Sequence, residues 1–145
     1  MKRVLVLGAG LVSRPMVRYL LGAPDFEVTV ASRTVSKAEA LVGDHPRGKA
    51  LRLLVDDEAK LGRMVGECDL AVSLLPYTYH PVVARLCIAH RKQMVTTSYV
   101  SEEMAALDAD ARAAGLLGPL ADAGEPGMAA AAVTKAASSS KTSWR

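Results

Sequence analysis

The chain has 145 residues, half of them hydrophobic, with 18 Lys and Arg against 15 Asp and Glu. That length fits one domain with a real core. The charge surplus is local, because Lys135, Lys141 and Arg145 stand beyond Met128 with no acid among them and account for the whole +3. The rest of the chain is neutral and has no basic stripe, so no nucleic-acid partner is expected. The apolar runs are of strand length, so no membrane span is expected either. Lys2-Arg3 leads into an apolar run that breaks without a cleavage-site pattern, which argues against a signal peptide. Cys68 and Cys87 sit in apolar context and read as reduced, buried thiols of a cytoplasmic protein.

Val4-Leu5-Val6-Leu7 runs straight into Gly8-Ala9-Gly10, and a helical apolar pattern follows through Val12, Val17 and Tyr19-Leu20-Leu21. Such a run before a glycine turn reads as a parallel strand buried on both faces. The turn opens a helix whose first N–H groups have no partner in the chain. A pyrophosphate satisfies them, and the helix dipole favours its charge. Gly8 allows the tight turn and Gly10 lets the backbone approach the phosphates. Ser13 stands at the third small position, with slightly looser helix–strand packing. Pro15 falls in the first helical turn, where a missing N–H costs little. Between a strand and a helix, this pattern points to dinucleotide binding; a bare strand–turn–helix is the alternative.

Gly22-Ala23-Pro24-Asp25 stops the helix, and Glu27 to Ala31 forms the second strand. Ser32-Arg33-Thr34 follows at the place, about 20 residues past the glycines, where an NAD enzyme carries an acid for the ribose 2′-hydroxyl. No acid stands here. Arg33 offers a planar fork for a 2′-phosphate and a face for adenine, and Ser32 and Thr34 add hydroxyls. NADP is therefore the expected cofactor; a solvated arginine opening a surface helix is the alternative.

Ser36 to Val42 reads as a short helix, Gly43 to Gly48 as an exposed loop containing His45, and Lys49 to Val55 as the third strand. Asp56-Asp57-Glu58 caps a helix to about Gly66; no further ligands accompany these acids, so no metal site is expected. Leu70 to Leu75 is the fourth strand. Pro76-Tyr77-Thr78-Tyr79-His80-Pro81 lies at its carboxyl end, where open α/β sheets bind ligands, and Tyr77, Tyr79 and His80 are assigned to the ligand side. The plainer alternatives are a packed Tyr79 and a His80 that caps the next helix, Pro81 to about Ala89. Gln93 to Thr97 is the fifth strand, with Ser98-Tyr99 at its carboxyl end and a helix from Ser101 to Gly115. Leu116 to Leu120 is a candidate sixth strand that Pro119 demotes to an edge. Gly124 to Gly127 is a turn, Met128 to Ala137 a short helix, and Ser138 to Arg145 a frayed tail.

This alternation predicts an α/β, Rossmann-like, doubly wound fold: a mostly parallel sheet of five to six strands in three α/β/α layers. Residues 1–127 form the NAD(P)-binding domain, and 128–145 the short helix and disordered tail.

Three sets of residues resemble the saccharopine dehydrogenase family, in its NADP-dependent, L-glutamate-forming branch. They are Gly8-Ala9-Gly10-Leu11-Val12-Ser13-Arg14-Pro15, then Ala31-Ser32-Arg33-Thr34, and then Ser73 to Pro81 together with Val95 to Ser101. The resemblance covers about residues 1–115. It implies cofactor contacts at Gly10, Leu11, Val12, Ser13, Ser32, Arg33, Thr34, Leu54, Val55, Leu75, Thr97 and Ser98, and substrate contacts at Ser98 and Tyr99. The implied chemistry is hydride transfer between NADPH and the carbon of an imine formed from aminoadipate semialdehyde and glutamate, or its reverse, with saccharopine or a related amino acid as the small-molecule substrate. Tyr99 is the residue expected to orient or protonate substrate.

The chain departs from the family in three places. Leu54 stands where the family carries an Asp after the third strand. Glu125-Pro126-Gly127 replaces an Asp-Pro-Gly turn, and Glu125 takes the catalytic place of that Asp if the altered turn points inward. The family's substrate domain, inserted after this point, is absent. The chain therefore reads as the nucleotide-binding part of such an enzyme, open to self-association or to a substrate-binding partner. The alternatives are a non-catalytic NADP-binding module, a truncated fragment, and a relative acting on another amino acid or a carbonyl.

Overall fold

The computed structural model describes residues 2–10, 13–54, 56–96 and 121–122. The chain runs β1 (Lys2–Leu7), α1 (Ser13–Gly22), β2 (Phe26–Ser32), α2 (Val35–Val42), β3 (Gly48–Arg52), α3 (Glu58–Glu67) and β4 (Leu70–Ser73). A single 3-10 turn (Tyr77–Tyr79), α4 (His80–His90), β5 (Gln93–Thr96) and β6 (Ala121–Asp122) complete it. The strands form one sheet in the order β3-β2-β1-β4-β5-β6, and every neighbouring pair is parallel. Val4 of the central strand faces Val28 on one side and Leu70 on the other.

Apolar residues fill both faces because successive side chains of a strand point opposite ways. On one face Val4, Val6, Val28, Val30 and Val72 pack with Met16 and Leu20 of α1 and Ala38 and Val42 of α2. On the other, Leu5, Leu7, Ala31, Ala71 and Met94 pack with Leu61 and Val65 of α3 and Val83, Ala84 and Cys87 of α4. The result is the expected three-layer, Rossmann-like architecture. Its strand order reverses beside β1, so the carboxyl ends of β1 and β4 bound a crevice. Among the described residues no helix is long and apolar enough to cross a membrane. Cys68 and Cys87 are free and buried, as expected.

Two strands end earlier than their apolar runs predict. β3 stops at Arg52 rather than Val55, and β4 at Ser73 rather than Leu75. The Leu53 N–H still bonds the Ser32 carbonyl at 3.0 Å, and the Leu74 N–H bonds that of Leu7 at 2.9 Å. Beyond these last ladder bonds the chain turns away, and the remaining leucines line the crevice instead of the sheet.

The sixth strand is β6, where Ala121 and Asp122 pair with Val95 and Thr96. It follows Pro119, which has no N–H to give to a ladder. The strand proposed over 116–120, the helix from Ser101, the 124–127 turn, the Met128–Ala137 helix and the tail lie outside the described residues.

The loop read as exposed holds a clasp. The Arg47 guanidinium donates to the carbonyls of Leu21 at 2.7 Å, Phe26 at 2.8 Å and Ala23. It thereby satisfies the Leu21 carbonyl that the end of α1 leaves without a helical partner and ties it to the start of β2.

Candidate functional site: the crevice at the strand ends

The glycine turn is built as its sequence demands, with one addition. Gly8 has φ +102°, and a Cβ there would come within 3.1 Å of the Leu74 carbonyl oxygen. Glycine is therefore required twice at that position, for its conformation and for the approach of the β4 end. A Cβ at Gly10 would meet nothing within 4 Å, so the backbone there borders open space.

The addition is Ser13. It is wholly buried, its hydroxyl donates to the Gly8 carbonyl at 2.9 Å, and the hydroxyl accepts from the Gly10 N–H at 3.1 Å. The Ser13 N–H in turn bonds the Gly10 carbonyl. Ser13 thus ties the turn shut, and the Gly10 N–H is satisfied within it. The Ser13 hydroxyl is engaged inside the turn, behind the surface that a ligand meets.

A cavity of about 370 Å³ opens beside this turn. Four strand ends line it: Leu7 and Gly8 from β1; Ala31, Ser32 and Arg33 from β2; Leu53, Leu54 and Asp56 beyond β3; and Leu75, Pro76 and Tyr79 beyond β4. Six residues singled out in the sequence thus meet in one place: Gly8, Ser32, Arg33, Leu54, Leu75 and Tyr79. Arg33 is exposed and forms no ion pair among the described residues. The Ser32 hydroxyl accepts from the Thr34 N–H at 3.2 Å, which fixes the bend that carries Arg33. Thr34 itself precedes α2 and contributes no side-chain cap.

His80 does not join them. It is 1% exposed, and its Nδ1 lies 2.8 Å from the Ser73 hydroxyl. The expectation that His80 meets substrate is corrected accordingly. Its ring is closed into the core, where it ties the first turn of α4 to the last residue of β4 and so fixes both ends of the 74–79 connection.

Tyr77 lies on the 3-10 turn that forms part of that connection. Leu11, Val12, Val55, Thr97, Ser98, Tyr99 and Glu125 fall outside the described residues. Sequence reasoning missed Asp56, which it grouped with Asp57 as a helix cap. Asp57 alone caps α3, its carboxylate accepting from the Lys60 N–H at 3.1 Å. A second cavity, of about 300 Å³, lies on the sheet face between Glu27, Lys49 and α3, and it contains none of the residues named for the site.

The comparisons agree with this geometry. Residues 4–118 match the family described as saccharopine dehydrogenase NADP binding domain. The chain is 47% identical over 115 residues to the saccharopine dehydrogenase [NADP(+), L-glutamate-forming] of Schizosaccharomyces pombe, a match covering 79% of this chain and 26% of that protein. It is 38% identical over 115 residues to the mitochondrial alpha-aminoadipic semialdehyde synthase of Bos taurus, covering 79% of this chain and 12% of the other. The solved apo saccharopine dehydrogenase (L-Glu forming) of Saccharomyces cerevisiae superposes with a TM-score of 0.74 at 38% identity, over 80% of this chain and 26% of that one. The chain thus spans about a quarter of the length of its fungal relatives. With a glycine turn, an exposed arginine after β2 and a family match running from β1 past β5, the chain belongs to the saccharopine dehydrogenase NADP binding domain family.

Proposed function

We propose that this chain binds NADP(H) across the carboxyl ends of β1, β2 and β3 and serves as the cofactor half of a saccharopine dehydrogenase-like oxidoreductase. The observation that carries the proposal is that the glycine turn, through Gly8, and Arg33, which has no ion pair among the described residues, line one cavity of about 370 Å³. The residues fit the cofactor. Gly10 leaves room for a pyrophosphate, and Arg33 presents a fork for a 2′-phosphate at a strand end that carries no acid of its own. Leu11, Val12, Thr34, Val55, Thr97 and Ser98 complete the proposed cofactor contacts, and Ser13 holds the turn from behind. When bound, the cofactor supplies a hydride acceptor or donor.

The chain's own residues position the reactants. In this reading Ser98 and Tyr99 hold saccharopine or a related amino acid, Tyr99 orients or protonates it, and Glu125 serves as the acid or base of the altered turn. Tyr77 and Tyr79 flank the substrate. A cytoplasmic chain that self-associates, or that docks onto a separate substrate-binding partner, completes the proposal. Because the chain spans 26% of the Schizosaccharomyces pombe relative's length, a second reading stands beside the first: an NADP-binding module without catalysis of its own.

Calorimetry with NADPH and NADH tests the cofactor reading. A charge-assisted contact to the 2′-phosphate favours NADPH by about 1–3 kcal/mol, and Arg33→Ala removes most of that preference. Equal affinity of the intact chain for both cofactors would overturn it.

A further inference from the structure

We infer that Asp56 is the base-reading residue of this pocket, accepting a hydrogen bond from the exocyclic amine of the cofactor's adenine. The inference rests on the NADP reading above. Asp56 is the one carboxylate among the described residues that line the cavity. It is exposed, and among the described residues no ion pair or hydrogen bond engages it. The capping of α3 does not need it, because Asp57 does that work.

An acid in a pocket that takes a phosphorylated ligand repels the phosphates unless it faces a donor. The order of the strands says which donor. The pyrophosphate belongs to the turn after β1, and the 2′-phosphate to Arg33 after β2. The end of β3 is the next strand outward, which leaves the adenine for Leu53, Leu54 and Asp56. Leu54 is 44% exposed, an apolar surface left open for a ring face. An adenine edge carries one strong donor group, the 6-amino group. A carboxylate is acceptor-only and matches it.

The test compares NADP with its deaminated form, in which hypoxanthine replaces adenine and a 6-oxo acceptor replaces the donor. Calorimetry on the 145-residue chain is expected to show NADP bound at least about tenfold more tightly, the scale of a charged hydrogen bond made or lost. Asp56→Ala is expected to bring the two dinucleotides within about twofold of each other, while the preference for NADP over NAD persists. Circular dichroism checks that the variant keeps α3, as the intact Asp57 cap requires. Equal binding of the two dinucleotides to the unaltered chain, or tenfold discrimination surviving in Asp56→Ala, overturns the inference and leaves the NADP reading standing. Binding of neither dinucleotide overturns both.

Discussion

Ser13→Ala separates what holds the glycine turn from what the turn holds. The alanine keeps the Cβ inside the wholly buried site and removes only the hydroxyl. Two hydrogen bonds go with it, one to the Gly8 carbonyl and one from the Gly10 N–H. Each is worth about 1 kcal/mol net, so the fold loses about 2 kcal/mol. For a chain of this size that lowers Tm by about 8 °C, at about 4 °C per kcal/mol. A looser turn also has more freedom to lose on binding, so NADPH affinity is expected to fall by about 3–10-fold. Thermal unfolding followed by circular dichroism reads the first effect, and calorimetry the second. An unchanged Tm would show that these bonds contribute nothing. A lower Tm with tighter NADPH binding would show that Ser13 withholds the Gly10 N–H from the ligand, the reverse of the role argued above.

Two further perturbations act on the same fold. Gly10→Val places a branched side chain in the space where the backbone meets the phosphates; with nothing within 4 Å of its Cβ, the fold survives by circular dichroism while NADPH binding is lost, and normal binding would refute the assignment. Burial pushes the Cys68 thiol from 9.0 up to about 12, with Lys92 opposing the shift, and pushes Cys87 up as well. The unfolded chain therefore releases these protons first, so their stabilisation is complete below pH 9 and is lost as pH rises toward 12. The urea midpoint is expected to drop between pH about 8 and about 10.5, and less so in Cys68→Ala; a flat midpoint in the unaltered chain would contradict this.

The strands were legible because their burial is on both faces. Val4 to Leu7 and Leu70 to Val72 are unbroken apolar runs, and only a sheet covered on both sides uses such runs at strand length. The end of each run was less legible. Leu53, Leu54, Leu74 and Leu75 are as apolar as the strands they follow, and whether such a residue pairs in a ladder or lines a cavity depends on neighbours distant in sequence. Ser13 and His80 show the same limit in polar residues. Each was read by its side chain's capability, as a small packing position and as a ligand-side imidazole. Each is instead tied to a backbone or hydroxyl group that the fold brings to it. Ser73 is seven residues from His80, and neither residue's composition or spacing announces that they meet in the core. Arg47 is the extreme case, since its partners lie 21 to 26 residues away.

Catalysis makes a heavier demand than cofactor binding, and the crevice as described meets only part of it. Hydride transfer needs the substrate carbon held at near-attack distance from the cofactor, and that positioning supplies much of the rate. The strand ends described here form one wall of the cavity. Its surface toward β4 is Leu75, Pro76 and Tyr79, which offer no cation. Saccharopine carries several carboxylates, and the cation that the cavity's described lining does present, Arg33, lies at the 2′-phosphate end of the proposed cofactor. His80 is withdrawn into the core and cannot make up the difference. The 145-residue chain alone is therefore expected to bind NADPH and to oxidise saccharopine with NADP slowly or not at all, and to gain rate when a substrate-binding partner chain is added. The assay is NADPH absorbance under saturating saccharopine, with sedimentation reporting the oligomeric state. Turnover at a rate usual for enzymes, about 1–1000 per second, by a monodisperse monomer would refute the reasoning. It would place a complete substrate wall within these residues, with Ser98, Tyr99 and Glu125 as the first side chains to replace.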